Sequence, residues 1–357
     1  MVLKFGIQFR SEKMFKTYYT DERIEKMTPR PLFALTLSDR SDGKTFNCVE
    51  RAFDDFIQKG DALLYMRRYR EEMKQDFYDS FLNNFIRVKT EKVAGWEFRT
   101  EKSGADIRRE GATSWERFVY FLPLTGAGKK KSGIDHTRIN VIKFDEYIPL
   151  DFRYLPREMS LCFEAYQSID RDRNTTLMHF LGNAIDIFNP FCDTFHIPAL
   201  SLECDKIKTY QGGEAAVETY VNEEHREMRN ESRFSRLVAK TDYESYYKGA
   251  GALKAYNIEF GKPDFKNDIF ICAFKTSQGE GSVFARGEFW IISARKRKDG
   301  AILTDSPASG LLQEQYNIRL PGFSKLVSQH WYRGKMKFES KETFHAFEPL
   351  LKIATHR

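Results

Sequence analysis

The spacing of apolar and polar positions divides the chain into two regions. From residue 32 to 183, short apolar runs alternate with amphipathic segments. Leu32 to Leu37 reads as a buried strand. Lys44 to Gln58 reads as a helix, with Phe46, Val49, Phe53 and Ile57 at helical spacing and Gly60 to stop it. A second strand, Ala62 to Met66, ends in Arg67-Arg68, and a charged amphipathic helix follows from Glu71 to Asn84. Residues 86–118 alternate in short strands, and Phe118 to Leu122 is a further strand. Ile139 to Phe144 is an apolar run closing on Asp145-Glu146. Pro156 to Ile169 is helical, with Met159, Cys162, Phe163, Tyr166 and Ile169 on one face, and Thr176 to Leu181 is a strand ending in Gly182-Asn183. Upstream, residues 1–30 are polar, with a helix from Glu22 to Met27 that Thr28-Pro29-Arg30-Pro31 breaks.

Beyond residue 198 the pattern changes. Gly212-Gly213 precedes a strongly charged, helix-compatible stretch, Glu214 to Arg233, which reads as a linker. From Asp268 the period is that of strands: Ile269 to Phe274, Ser282 to Ala294, Ala301 to Leu303 and Leu326 to Tyr332, with turns at Gln278–Gly281 and Lys298–Gly300. A final helix runs from Lys341 to Ile353. The expected organisation is an α/β domain over 1–198 with a parallel sheet covered on both faces, a helical linker subdomain over 199–232, and a smaller α/β or α+β domain over 233–357.

Chemistry enters at the strand ends. Ser38-Asp39-Arg40-Ser41-Asp42-Gly43-Lys44-Thr45 follows the first strand and opens a helix. It matches the P-loop pattern G-x-x-x-x-G-K-[ST], with Ser38 where the first glycine usually sits. Backbone N–H groups of such a loop wrap phosphates, the lysine neutralises β/γ oxygens, and the hydroxyl ligates magnesium. ATP and Mg2+ are the implied substrate and cofactor. Asp145 and Glu146 stand where a Walker B pair belongs, Asp145 holding magnesium through water and Glu146 polarising the attacking water; the alternative is a strand ending in a solvated acidic turn. A strand between the P-loop strand and the Walker B strand argues for the ASCE class of P-loop NTPase, with the Walker B strand beside the P-loop strand without directly following it.

Composition narrows the setting. The 357 residues suffice for one large or two ordinary domains. No run approaches the ~18 apolar residues of a membrane helix, and the N-terminus lacks a signal-peptide apolar region. Five scattered cysteines form no C-x-x-C pair and read as reduced thiols. The net charge of +6 is concentrated after residue 230, which fits a motor joined to a module that binds a polyanion. Lys129-Lys130-Lys131 lies in a glycine-flanked loop before the Walker B strand, and Arg295-Lys296-Arg297-Lys298 forms a second basic run. Each suits sequence-blind phosphate contact or, alternatively, a solvated surface.

Taken together, Ser38–Thr45, Arg67-Arg68, Phe144-Asp145-Glu146-Tyr147, Ser168–Arg173, Leu181–Ala184, and Phe234–Leu237 followed by Tyr243 and Tyr246-Tyr247 resemble the DNA packaging (encapsidation) ATPases of small tailed phages, the phi29 type. The resemblance implies a terminase-like motor that hydrolyses ATP and drives double-stranded DNA into a preformed capsid. It further implies a ring, five subunits strong, docked on the capsid portal in the host cytoplasm. It implies that Arg173, or else Arg171, reaches a neighbour's ATP as an arginine finger, the alternative being surface pairing with Asp170 and Asp172. Asn183 would sense the γ-phosphate or the attacking water, or else cap a turn. Arg67 and Arg68 would contact nucleotide or the adjoining site, or merely cap a strand, and Arg40 would touch phosphate. Lys129–Lys131 would grip DNA, and Arg295–Lys298 would meet DNA or the portal. The last domain would be RNase H-like with its cleavage site lost, since Asp268, Glu288, Asp299 and Asp305 are scattered. Two other readings stay open: a terminase large subunit with an active nuclease, and a non-enzymatic ring component that binds DNA or portal.

Overall fold

The structure, a computed structural model, describes residues 18–126, 133–149, 153–184, 187–198, 201–238, 259–297, 301–305, 315–318, 321–332 and 335–355. The chain forms two units. The first comprises Met1–Tyr147, Leu155–Asn183 and Asp205–Thr241; the second comprises Ile148–Tyr154, Ala184–Cys204 and Asp242–Arg357.

The first unit is built on nine strands: β1 (Phe33–Ser38), β2 (Ala62–Arg67), β3 (Trp96–Glu101), β4 (Gly104–Arg109), β5 (Glu116–Pro123), β6 (Ile139–Asp145), β7 (Leu177–Asn183), β8 (Lys206–Tyr210) and β9 (Ala215–Tyr220). Their order is β3-β4-β5-β2-β6-β7-β1-β9-β8. The six strands from β5 to β9 run parallel, while β3, β4 and β8 add antiparallel edges. The continuous apolar runs of β2 and β7 are buried throughout, as parallel strands covered on both faces require. Helix α1 (Lys44–Lys59) buries Cys48, Val49, Ala52, Phe53 and Phe56 against the sheet and ends at the left-handed Gly60. Helix α2 (Gln75–Val88) adds Phe81 and Phe85 to the same core, and α3 (Glu158–Asp170) lies close to β6.

Two expectations are corrected here. Residues 199–232 are no helical linker, because β8 and β9 complete the sheet and β9 pairs with β1. The charge that disguised β9 is Glu218, which is fully buried and accepts hydrogen bonds from Tyr19 and Thr36. The Walker B strand β6 does not lie beside β1 either; β7 stands between them.

The second unit holds β10 (Glu259–Phe260), β11 (Ile269–Thr276), β12 (Gly279–Arg286), β13 (Phe289–Ser293), β14 (Ile302–Thr304), β15 (Gln315–Asn317) and β16 (Met336–Phe338), ordered β10-β16-β13-β12-β11-β14-β15. Strands β11 to β13 are antiparallel, and β14 and β15 follow in parallel beyond β11, the sequence of senses expected of an RNase H-like sheet. Two helices, α4 (Pro321–Tyr332) and α5 (Lys341–Thr355), pack with it, and Phe347 of α5 meets Phe274 at 5.0 Å. The stretch Leu326 to Tyr332, expected as a strand, lies in α4. Its buried residues Val327 and Trp331 are four apart, and Pro321 opens the helix where a missing N–H does no harm.

A buried polar row crosses the parallel strands. Lys143 on β6 donates to His179 Nδ1 on β7 at 2.8 Å; His179 Nε2 meets Thr36 Oγ1 on β1 at 2.7 Å; Thr36 donates to Glu218 on β9 at 3.2 Å. This donor sense keeps His179 neutral with its proton on Nε2. Burial, reinforced by the Lys143 charge, pushes the imidazole pKa well below its usual value. Only the unfolded chain therefore takes up this proton as pH falls through about 6.5, and stability falls with it, by about 1 kcal/mol between pH 6.5 and 5.5 and toward about 1.4 kcal/mol per pH unit below that. Urea unfolding at pH 6.5 and 5.5 is expected to show this loss in the wild type and a flatter dependence in His179→Gln.

Candidate functional site

The C-terminal ends of β1, β2, β6 and β7 converge, and the register says which residues meet. Ser38 is level with Asn183, Leu181 with Asp145, and Met66 with Phe144, so that Arg67 and Asp145 follow side by side. The loop after β1 turns through a left-handed Ser41 (φ 67°) and Gly43 (φ 85°) into α1. Glycine is required at 43 twice over: for its φ, and because a Cβ would stand 2.7 Å from Tyr18 Cβ.

Lys44 is buried with its ammonium folded into the loop. Its Nζ donates to Ser38 Oγ at 2.8 Å, to the Asp39 carbonyl at 2.9 Å and to Asn183 Oδ1 at 3.2 Å. Ser38 thus replaces the usual glycine with a side chain that the lysine uses. Burial lowers the Lys44 pKa, although Asp42 and Asp145 work against that shift. Asp39 and Asp42 are buried, Arg40 half-buried and Ser41 exposed.

Asp145 is the hub. Thr45 Oγ1 and Tyr65 OH each donate to its Oδ2 at 2.6 Å, and Arg67 Nη2 stands at 3.4 Å. Burial opposes its charge, but Arg67, with Thr45 and Tyr65, holds the carboxyl below its usual range. Arg67 also donates Nε to Tyr65 OH at 3.1 Å and forms an ion pair with Glu146 at 2.5 Å. Glu146 has a left-handed backbone (φ 58°) at the turn after β6, a strained conformation of the kind that clusters at functional sites. Tyr65 escaped sequence reasoning, although its place two residues before Arg67, on the same face of β2, was the available signal.

Arg68 belongs to the framework instead. It is 3% exposed, grips Glu158 through Nε and Nη2 at 2.7–3.1 Å, and donates to the carbonyls of Glu146 and Tyr147. It therefore fixes the Walker B turn to α3. Gly182 admits Tyr147 to the same turn, for a Cβ there would lie 2.5 Å from its ring. The short helix Glu223–Asn230 reaches the loop through His225 Nδ1, 2.9 Å from Asp42 Oδ1, another contact not anticipated.

Other expected site residues lie elsewhere. Arg171 and Arg173 precede β7 and so sit at the opposite, N-terminal edge of the sheet. Arg173 is half-buried and donates to the carbonyls of Asp170, His136 and Ile139 at 3.0 Å; Arg171 is exposed. Arg173 is thus tied to the backbone of its own chain, while Arg171 stands exposed. Lys129, Lys130, Lys131 and Lys298 lie outside the described residues. Arg295, Lys296 and Arg297 are exposed, with Arg295 over Phe265 at 4.2 Å, Arg297 over Phe270 at 4.5 Å and Lys296 paired with Glu280. Asp268 is held by Arg286, and among the described residues no group of three or more acids, histidines and cysteines is gathered as a metal site.

Residues 16–248, more than half of the chain, match the family model for podovirus DNA encapsidation protein (Gp16). The chain belongs to this encapsidation protein family. A DNA packaging protein of Bacillus phage B103 is 23% identical over 250 residues, spanning 69% of this chain and 68% of that protein. The DNA packaging protein of Bacillus phage phi29 is 23% identical over 219 residues, 57% of each chain. In fold, the chain is similar to the Phi-28 gp11 DNA packaging motor (TM-score 0.51, 18% identity, 95% of this chain and 98% of that one). It is similar as well to a chain of the bacteriophage phi29 genome packaging motor assembly (TM-score 0.52, 16% identity, 94% and 99%).

The buried Arg68–Glu158 pair makes a prediction independent of activity. Arg68→Met, which strands Glu158, is expected to lower unfolding free energy by about 3–5 kcal/mol, and Arg68→Met combined with Glu158→Leu to recover much of it, both read by urea denaturation.

Proposed function

We propose that this protein is the ATPase of a viral packaging motor, moving double-stranded DNA into a preformed capsid as a portal-docked ring. The observation that carries this reading is the direct Thr45–Asp145 contact beside Lys44, a P-loop and a Walker B carboxylate already brought together in a member of the encapsidation family. The ring, its five subunits, its portal and its DNA come from the family resemblance. No described helix is long and apolar enough to cross a membrane.

The donor set suits Mg2+: a hydroxyl and an ionised carboxylate, both hard oxygens. Thr45 and, through water, Asp145 would hold the ion, which would supply positive charge to offset that of the phosphates. On ATP binding, Lys44 exchanges Ser38 and Asn183 for β/γ oxygens, and the loop N–H groups wrap the phosphates. Asn183, released from Lys44, faces the γ-phosphate. Glu146 orients the attacking water, but only after parting from Arg67, since a carboxylate neutralised by an arginine is a poor base. Arg171 is exposed at the far edge of the sheet and Arg173 is engaged by backbone carbonyls, which favours Arg171 of the two as the guanidinium that serves a neighbour in the ring. Lys129–Lys131 and Arg295–Lys298 are the proposed DNA or portal contacts.

Glu146→Gln is expected to bind ATP with magnesium and to lose about 10²–10⁴-fold in turnover. Arg171→Ala should lose turnover while keeping ATP binding, up to about 10³–10⁵-fold for a full finger. Mixing the two variants on proheads should restore part of the activity, because a mixed interface joins an intact Glu146 to an intact Arg171. Absence of any restoration contradicts the finger in trans; undiminished turnover in Glu146→Gln contradicts the site itself.

A further inference from the structure

A concavity of about 1430 Å³ opens in the first unit between the segment joining β2 to α2, the β3–β4 turn and β5. It lies toward the sheet edge that carries the nucleotide site, for Leu122 and Pro123 at the end of β5 line it. Five cations line it, Arg70, Lys74, Arg99, Lys102 and Arg117, against three acids: Asp106 and Glu101, which pair with Arg99 and Arg117, and the exposed Glu71. The cations at its rim are Arg70, Lys74 and Lys102. Each is exposed, and none forms a salt bridge among the described residues.

The wall behind them is immobilised. Asp106, buried, holds Arg99 at 2.9 Å and also Arg117. Arg99 and Arg108 lie over Trp115 at 4.8 and 4.4 Å, and Arg117 lies over Tyr120 at 5.6 Å. Tyr78 is stacked on Phe121. The aromatic rings lining the concavity are therefore engaged by protein groups.

These features select among ligands. The volume exceeds the roughly 300–1,000 Å³ of small-molecule pockets, which favours a macromolecular backbone. Binding of single strands relies on open aromatic platforms for unstacked bases, and here those rings are covered. What remains on offer is a net positive rim, three exposed cations against the one exposed carboxylate of Glu71 that no arginine of the wall holds, on a rigid wall, the means by which a protein grips duplex phosphates without reading sequence.

We infer that this concavity is a backbone-binding groove for duplex DNA, with Arg70, Lys74 and Lys102 contacting phosphates. The inference rests on the motor reading and adds to it a second gripping surface, distinct from Lys129–Lys131. Asp106 and Trp115 act as positioning residues that keep the arginines in the wall.

The test is equilibrium binding of the full chain to a fluorescent duplex of arbitrary sequence over a range of salt. For Arg70→Ala/Lys74→Ala/Lys102→Ala, log K against log salt should be shallower by about 0.9 per phosphate contact, close to 3 in total, with at least about tenfold weaker binding at low salt. ATP turnover without DNA should be unchanged, and the circular dichroism melt should match the wild type. An unchanged slope and affinity in the triple variant would overturn the groove while leaving the motor reading intact, provided the wild type binds duplex and Lys129→Ala/Lys130→Ala/Lys131→Ala weakens that binding. Tighter binding of single-stranded DNA or of an acidic peptide than of duplex would also overturn it. A wild type that binds no duplex would remove both the groove and the reading beneath it.

Discussion

A carboxylate kept ionised inside the protein sets the terms for everything around it. Asp145 is buried at the end of β6, where an unpaired charge would be prohibitive. Two hydroxyls and a guanidinium compensate it, and they come from two separate elements: Thr45 from the start of α1, Tyr65 and Arg67 from β2. Bringing these together requires β6 next to β2, α1 leaving β1 at the same edge, and the register that levels the strand ends. The sheet order thus follows from the chemistry the site must hold.

The same charges bear on control. Arg67 pairs with both acids, so a single guanidinium stabilises Asp145 and occupies Glu146, the two carboxylates to which the proposed function gives the metal and the water. Lys44 is likewise engaged, by Ser38 and Asn183. The site in this state is assembled yet self-satisfied, and nucleotide must displace protein contacts to enter. Under the proposed function, such exchange would let the free energy of phosphate binding move Lys44, Asn183 and Glu146 together, which is what a motor needs from its fuel.

Much of this was legible in the sequence where one residue type has one use. Gly43-Lys44-Thr45 after an apolar strand, and Asp145-Glu146 closing another, locate both halves of the site because few folds place those groups at strand ends otherwise. Three matters were not legible. Glu218 reads as a solvated charge, and only Tyr19 and Thr36, far away in sequence, make it a buried strand residue; hence the lost β9 and the supposed linker. Arg67 and Arg68 are adjacent and chemically alike, but strand alternation sends one to Asp145 and the other to Glu158, a distinction that depends on what each face meets. Arg173 is tied to backbone carbonyls and not to Asp170 or Asp172 side chains, and carbonyl partners leave no mark in a sequence.

The measurement that bears most directly on the central claim is ATP hydrolysis by the full chain, with and without magnesium and long duplex DNA, while the DNA is followed by electrophoresis. The account predicts magnesium-dependent release of phosphate, faster with duplex present, and DNA that stays intact. Failure to bind ATP with magnesium would contradict the assembled site, and cleaved DNA would replace the packaging motor with a nuclease-bearing enzyme.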